Sequence, residues 1–311
     1  MISPQSLPLL VTHSGTFHFD DAFAYTVLKL ALELKSPGAD HILSRTRSGD
    51  IIASANYVWD VGNAYDAQTG RFDHHQRGAP VRDDGVPLSA AGLVWRHHGL
   101  AAVKALLSPA PDDDLAEAIA TELDRDVVHR IDEIDNGIKD PEDTLGLSSL
   151  VADFNPLWDS GDVGKTSSED AAFIEAARVV ESFLRRRANA TRARLDADAV
   201  VRSAYEAAPD KRILELDRKM PWQDAVTLHR LDALLAVYPV SDGNCAVDAM
   251  PNGHGAYRKP MPKAWAGLRD AALVTASGVS DAVFVHPQRF LGVAGTRNGA
   301  LAMAHEAIVQ P

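Results

Sequence analysis

The sequence predicts an α/β protein: a mostly parallel-sheet N-terminal domain with helices on both faces, plus a smaller α+β C-terminal domain. Three observations carry this expectation. An apolar strand, an amphipathic helix and two more strands follow one another in the first 62 residues. A long helical tract then stops at the proline of "EAAPDK" (206–211), which sets a boundary near 210 and domains at 1–210 and 211–311. Beyond it short strand-like runs take over. A chain of 311 residues is also long for a single core.

The elements follow in order. "LPLLVTH" (7–13) is a short apolar run, the pattern of a buried strand. "DDAFAYTVLKLALELK" (20–35) places Ala24, Val27, Leu28 and Leu32 at helical spacing. Asp20 and Asp21 stand at its start, where capping oxygens and negative charge are favoured. "HILSRT" and "NYVWDVG" supply the next two strands, and "GRFDHHQRG" follows the turn-like "DAQTG". Helices are expected over about 89–98, 113–131 and 168–207, covering the sheet. After the boundary, "RILELD", "ALLAVYPV", "CAVDAM" and "AVFVHPQRFLGVAG" have strand character, and "TRNGALAMAHEAI" forms a closing helix.

Composition removes several classes. The net charge of −12 argues against a broad basic face for duplex nucleic acid. It does not exclude a nuclease, because acidic metal ligands count against the bare sum and bound cations reverse the local sign. No apolar run reaches the roughly 20 residues of a membrane span, so no membrane partner is expected. The N-terminus has no basic segment before its short apolar run, which predicts no signal or transit peptide. Cys245 is the only cysteine, so no intramolecular disulfide and no cysteine zinc knuckle can form. A cytoplasmic location follows by default.

Seven of the twelve histidines lie in the first 100 residues, and they gather with aspartates at predicted strand ends. His13, His18 and Asp20 form one group. Asp60 ends "YVWD". Asp73, His74 and His75 form the third group, and "HRIDEIDNG" offers Asp132 and Asp135. In open α/β sheets ligands bind beyond the carboxyl ends of strands, so residues distant in sequence converge there. Imidazole with carboxylate and no thiolate suits Mn²⁺, Mg²⁺, Co²⁺ or Fe²⁺. Two such ions about 3.5–4 Å apart form a clamp for displacement at phosphorus. The set His13, His18, Asp20, Asp60, His74 and Asp135 is large enough to hold a pair.

"HSGTFHFDD", the lone aspartate of "VWDVG", "FDHHQR" and "EIDNG" resemble the four ordered motifs of the DHH phosphoesterase superfamily. More closely, the chain resembles the melanocyte-proliferating-gene exonuclease family within it, a group of metal-dependent hydrolases. "PKAWAGLRDAAL", "SGVSDAVFVH" and "GTRNGALAMA" extend that resemblance to about residue 305. It implies a DHH-like first domain, a substrate-binding second domain, and two divalent ions, Mn²⁺ foremost. It also implies a 3′→5′ exonuclease acting on RNA with a two-metal-activated water. Carried over by position, His13, His18 and Asp20 are first-motif metal ligands, and Asp60 is the bridging carboxylate. His74 and Asp135 are the ligands of the third and fourth motifs. His75 and Arg77 meet the phosphate, with His75 a candidate general acid. His286 and Arg297 are substrate-binding candidates in the second domain. The broader superfamily has an aspartate where His18 falls, and its glycine-rich C-terminal motif is only partly echoed by "FLGVAGTRNG".

Blander readings apply elsewhere. Asp21 is expected to be a helix cap, and Asp135 is preferred to Asp132 because it precedes the "NG" turn. His97 and His98 are expected near a helix end at Gly99, where cations suit the last turn. "GDVGKTS" (161–167) fails phosphate-loop spacing because Asp159 stands where the first glycine belongs. "RRRANATRAR" (185–194) is a solvated helical face or an RNA-steering one. The expected function is a metal-dependent phosphoesterase hydrolysing phosphodiester bonds of single-stranded RNA or short oligonucleotides. The alternatives are a phosphatase or pyrophosphatase acting on a small phosphorylated metabolite, and a regulator whose metals are structural. A homodimer stays open.

Overall fold

A computed structural model describes residues 7–140 and 146–310. The chain divides into two compact units, Met1–Thr191 and Arg192–Pro311. In the first, β1 (Leu9–Thr12), β2 (Ile42–Arg45), β3 (Tyr57–Trp59), β4 (Tyr65–Asp66) and β5 (Arg71–Phe72) form one sheet, in the order β2-β1-β3-β5-β4. The pairs β1/β2, β1/β3 and β3/β5 are parallel, and only β4 runs antiparallel, against β5. Gly70 makes the return into β5 at φ +71°, where a Cβ would come within 2.4 Å of the Asn56 carbonyl oxygen.

Helices lie on both faces of this sheet, but unequally. On one face Trp59 stacks on Tyr25 of α1 (Phe19–Ala31), and Phe72 meets His97 and His98 of α3 (Ala90–Leu106). The other face turns Val11 and Val58 toward Ile52 of the short α2 (Gly49–Ser54), which the sequence pattern did not announce. The chain then runs through α4 (Asp113–Leu123), a π-helical segment (Asp124–Val128) and α5 (His129–Asp135) without a break. The short α6 (Leu147–Ala152) and the start of α7 (Thr166–Ala207) complete the unit.

The expected helix end at Gly99 is a correction: α3 continues to Leu106. Gly99 is not a cap. A Cβ there would lie 2.7 Å from the Trp95 indole, so the glycine makes room for that ring. His97 and His98 are packing residues. His97 shares a hydrogen bond with the Tyr65 hydroxyl (2.7 Å), and burial lowers the pKa of both imidazoles.

The second unit holds β6 (Ile213–Glu215), α8 (Gln223–Leu228), β7 (Leu235–Pro239), β8 (Cys245–Ala249), α9 (Asp270–Ser277), β9 (Ala282–Val285), β10 (Leu291–Ala294) and α10 (Arg297–Val309). Its sheet order is β6-β7-β8-β10-β9, and only β6/β7 is parallel. Alternation along the strands separates two cores. Leu235, Val237 and Val247 pack with Trp265, Met261 and Met303, while Leu214, Ala236 and Ala246 pack with Trp222 and Val226.

Candidate metal centre

The site lies at the carboxyl edge of the parallel sheet. His13 follows β1, Asp60 follows β3, and Asp73 to His75 follow β5. Parallel strands deliver all three to one edge, and α1 and α5 close the ring with Asp20, Asp21 and Asp135. His13, His18, Asp20, Asp21, Asp60, His74, His75 and Asp135 form overlapping groups whose ligand atoms lie within 4.8 Å of one another.

The first loop is set by buried contacts. Arg45 lies between the rings of Phe17 and Phe173, 5.2 Å from each centroid, and donates to the Gly15 carbonyl. Asn155 clamps the backbone of Phe17 through both its N–H and its carbonyl (3.0 and 2.9 Å). His13 faces Asp21 (2.9 Å) and Asp60 (3.2 Å) through Nε2, while Nδ1 lies 3.1 Å from the Ser14 carbonyl. An Nδ1–H bonded to that carbonyl leaves Nε2 as the ligand atom, the usual way a second contact orients a metal-binding imidazole. Asp60 takes φ +54° directly after β3, a conformation that aspartate tolerates at some cost. Its oxygens face His13 at 3.2 Å and His74 at 3.1 Å, so it stands between the two imidazoles. His74 also lies 3.5 Å from Asp135.

Asp73 does a different job. It accepts from the Asn63 N–H (2.6 Å) and lies 2.7 Å from His75 Nδ1, which ties the two loops and orients His75. Asp132 is likewise separate. It accepts from the Ser89 N–H and hydroxyl (2.9 and 2.6 Å) and from Arg82 (2.6 Å). Of the two aspartates of "HRIDEIDNG", Asp135 reaches the cluster.

The electrostatics favour positive charge, as protons or as cations. Burial together with Asp60, Asp135 and Asp21 raises the Asp20 pKa well above the carboxylate range. Burial and Asp60 likewise raise Asp135, against an opposing effect of His74. Burial disfavours a charged His13, yet the Asp21 and Asp60 carboxylates push its pKa up to about 10. His74 is raised in the same way, by Asp60 and Asp135 against burial. Burial alone would raise Asp60, but hydrogen bonds from His13 and His74 hold it below the usual range. Both oxygens of Asp20 are buried without a hydrogen-bond partner. An orphaned carboxylate among three others is costly unless positive charge enters. The donor set therefore fits divalent cations, with oxygen and imidazole ligands and no thiolate.

A cleft of about 480 Å³ opens over the cluster, bordered by His13, His18, Asp60, His74, His75 and Asp135. Arg47 and Asn63 also line it. Sequence reasoning missed Arg47, an exposed cation two residues past β2, and assigned Asp21 to capping alone. Asp21 does cap α1 by accepting the His18 N–H (3.0 Å), and it also faces His13. Arg77 is exposed two residues beyond His75 and is not among the residues bordering the cleft.

His286 and Arg297 belong to the second unit and are not brought together there. His286 follows β9 and Arg297 follows β10, and these strands are antiparallel. The two residues therefore stand at opposite edges of the sheet. Arg297 pairs with Glu215 at the end of β6, and the His286 ring lies 4.4 Å from that of Phe290.

Among the described residues no helix is long and apolar enough to cross a membrane. Residues 9–308 match the model of a family described as "Uncharacterised protein family (UPF0160)", labelled MYG1 exonuclease. The human MYG1 exonuclease is 32% identical over 97% of this chain and 86% of its own length. The mouse MYG1 exonuclease is also 32% identical, over 97% and 85%. The MYG1 protein of Dictyostelium discoideum is 30% identical over 97% and 96%. No solved structure matches the chain.

Proposed function

The chain belongs to the MYG1 exonuclease family, and on that premise we propose that it is a nuclease-type hydrolase of phosphodiester bonds. Its substrate is single-stranded RNA or short oligonucleotides, degraded 3′→5′ in the cytoplasm by a DHH-type, Mn²⁺-dependent site. One observation carries the reading: eight imidazoles and carboxylates converge, including the buried Asp20 oxygens that no protein donor satisfies.

His13, His18, Asp20, Asp21, Asp60, His74 and Asp135 are the residues that would hold the two divalent ions of this reading. When bound, such ions lower the pKa of water and draw charge from phosphoryl oxygens. The remaining steps belong to the chain. Arg47, which borders the cleft, holds a non-bridging phosphate oxygen, a contact suited to guanidinium. Asp73 holds His75 through Nδ1, which leaves Nε2 free to give a proton to the leaving oxygen. His286 and Arg297, at opposite edges of the second unit's sheet, are candidates for substrate contact.

The test uses protein stripped of metal and reloaded with Mn²⁺, a 5′-labelled single-stranded RNA, and an Asp60→Ala control. Stepwise shortening from the 3′ end, absent in the control, is the expected result. Intact RNA with metal bound would overturn the reading and move the assignment to a small phosphorylated metabolite.

A further inference from the structure

Beside the cluster, bordered by His18, Asp20 and Asp135, lies a cavity of about 380 Å³. Its remaining walls are mostly apolar: Phe19, Ile131, Ile134 and Ala152. A cavity of about 230 Å³ adjoins it and shares Phe19, Ile131, Ile134 and Ser148. This second space adds Phe183 and two guanidiniums, Arg130 and Arg187. Asp126 also borders it, but Arg125 holds that carboxylate at 2.7 Å. Arg130 meets Glu133 at 3.5 Å. Arg187 is exposed on α7; Arg125 foremost, and Arg187 with it, lower the Asp126 pKa, so the Arg187 guanidinium faces that carboxylate across the same space.

The chemistry is therefore graded along one wall. The metal-competent end attracts an anion, the middle is aromatic and aliphatic, and the far end is cationic. Asp135 and Arg130 are five residues apart on one helix, about 7.5 Å of rise. A ligand matching this order has a flat apolar body with an anion at each end. A nucleoside inside a polynucleotide has that form, whereas a phosphomonoester has only one anionic end.

We propose that these adjoining cavities hold the base and sugar of one nucleotide, with the scissile phosphate at the metal cluster and the preceding phosphate at Arg187. The proposal rests on the phosphodiesterase reading above and narrows it to substrates with a phosphate on each side of the bound nucleoside, which in a dinucleotide means a 5′ phosphate. Ile131, Ile134 and Phe19 then accept any base, since stacking and apolar contact need no particular hydrogen-bond pattern.

The probes are a 5′-phosphorylated diadenylate, the same dinucleotide without its 5′ phosphate, and one whose first nucleotide is abasic. KM for hydrolysis and calorimetric affinity are measured with the Mn²⁺-loaded protein. Loss of either group is expected to weaken the interaction about tenfold or more. Arg187→Ala, on an exposed helical position, is expected to abolish the advantage of the 5′ phosphate alone. Ala152→Trp, which fills the trough from an exposed wall, is expected to abolish the advantage of the base alone. Hydrolysis that ignores base and 5′ phosphate would overturn the trough and leave the phosphodiesterase standing. Base-dependent binding without hydrolysis would do the reverse, and no binding would overturn both.

Discussion

The first unit's β1, β3 and β5 run parallel, so the residues after them meet at one edge; the second unit's β7 to β10 alternate direction, so theirs do not. All four metal-competent groups found among the described residues fall in the first unit. The second has histidines and aspartates too, but His286 and Arg297 leave its sheet at opposite edges. Strand direction decides whether scattered polar residues become a site. A parallel sheet places several carboxyl ends side by side. An antiparallel one divides its ends between two edges, and Arg297 after β10 meets Glu215, at the end of the co-directional β6.

Breaking the convergent edge has the largest expected effect. Asp60→Ala removes the carboxylate between His13 and His74, and hydrolysis is expected to fall to the level of metal-stripped protein. Retention of Mn²⁺-dependent turnover would show that the edge is not the reaction centre.

The two aspartates of "HRIDEIDNG" sharpen the same contrast. Asp132→Ala breaks a buried network with Ser89 and Arg82 and is expected to destabilise the fold by about 3–5 kcal/mol. Asp135→Ala is expected to weaken Mn²⁺ binding while the metal-free melting temperature changes little. Calorimetry and thermal melts on both variants check this, and exchanged phenotypes would reverse the assignment.

Smaller shifts are expected from Asp20→Asn. In metal-free protein it removes a carboxyl whose ionised form burial and three neighbouring aspartates disfavour, which raises the melting temperature by roughly 2–4 °C per kcal/mol recovered. The same change is expected to reduce the stabilisation that Mn²⁺ confers. The pH dependence has a definite sign. His13, with its pKa pushed up to about 10, holds a proton in the metal-free site near neutrality. Metal must displace it, so Mn²⁺ affinity rises with pH and binding releases protons, measurable by calorimetry in buffers of different ionisation heat. Affinity independent of pH would show that this proton is absent.

The smallest effect is expected in the antiparallel unit. The Arg297–Glu215 pair is half exposed, so Arg297→Ala is expected to change stability by about 0.2–1 kcal/mol and leave Mn²⁺ affinity unchanged. An increased KM for RNA alone would mark Arg297 as a substrate contact.

Local pattern determined much of this protein. Strand-forming "LLVT", the aspartates opening α1 and the strand-end "DHH" were legible because side-chain periodicity and cap chemistry are short-range. The short α2 and α6 were not, since helices of six residues have no periodicity to recognise. Gly99 looked like a stop because only the folded helix shows the Trp95 ring above it. Asp21 looked like a cap, and is one; its second contact, to His13, needs the loop to turn back. Asp132 and Asp135 carry the same side chain, and in sequence only the "NG" turn after Asp135 favoured it. Only the tertiary structure shows that one meets Arg82 and Ser89 and the other His74. Sequence thus specified which side chains could bind charge. Strand direction and burial decided which of them are forced together, because the Coulomb cost of clustered carboxylates exists only where the fold removes water.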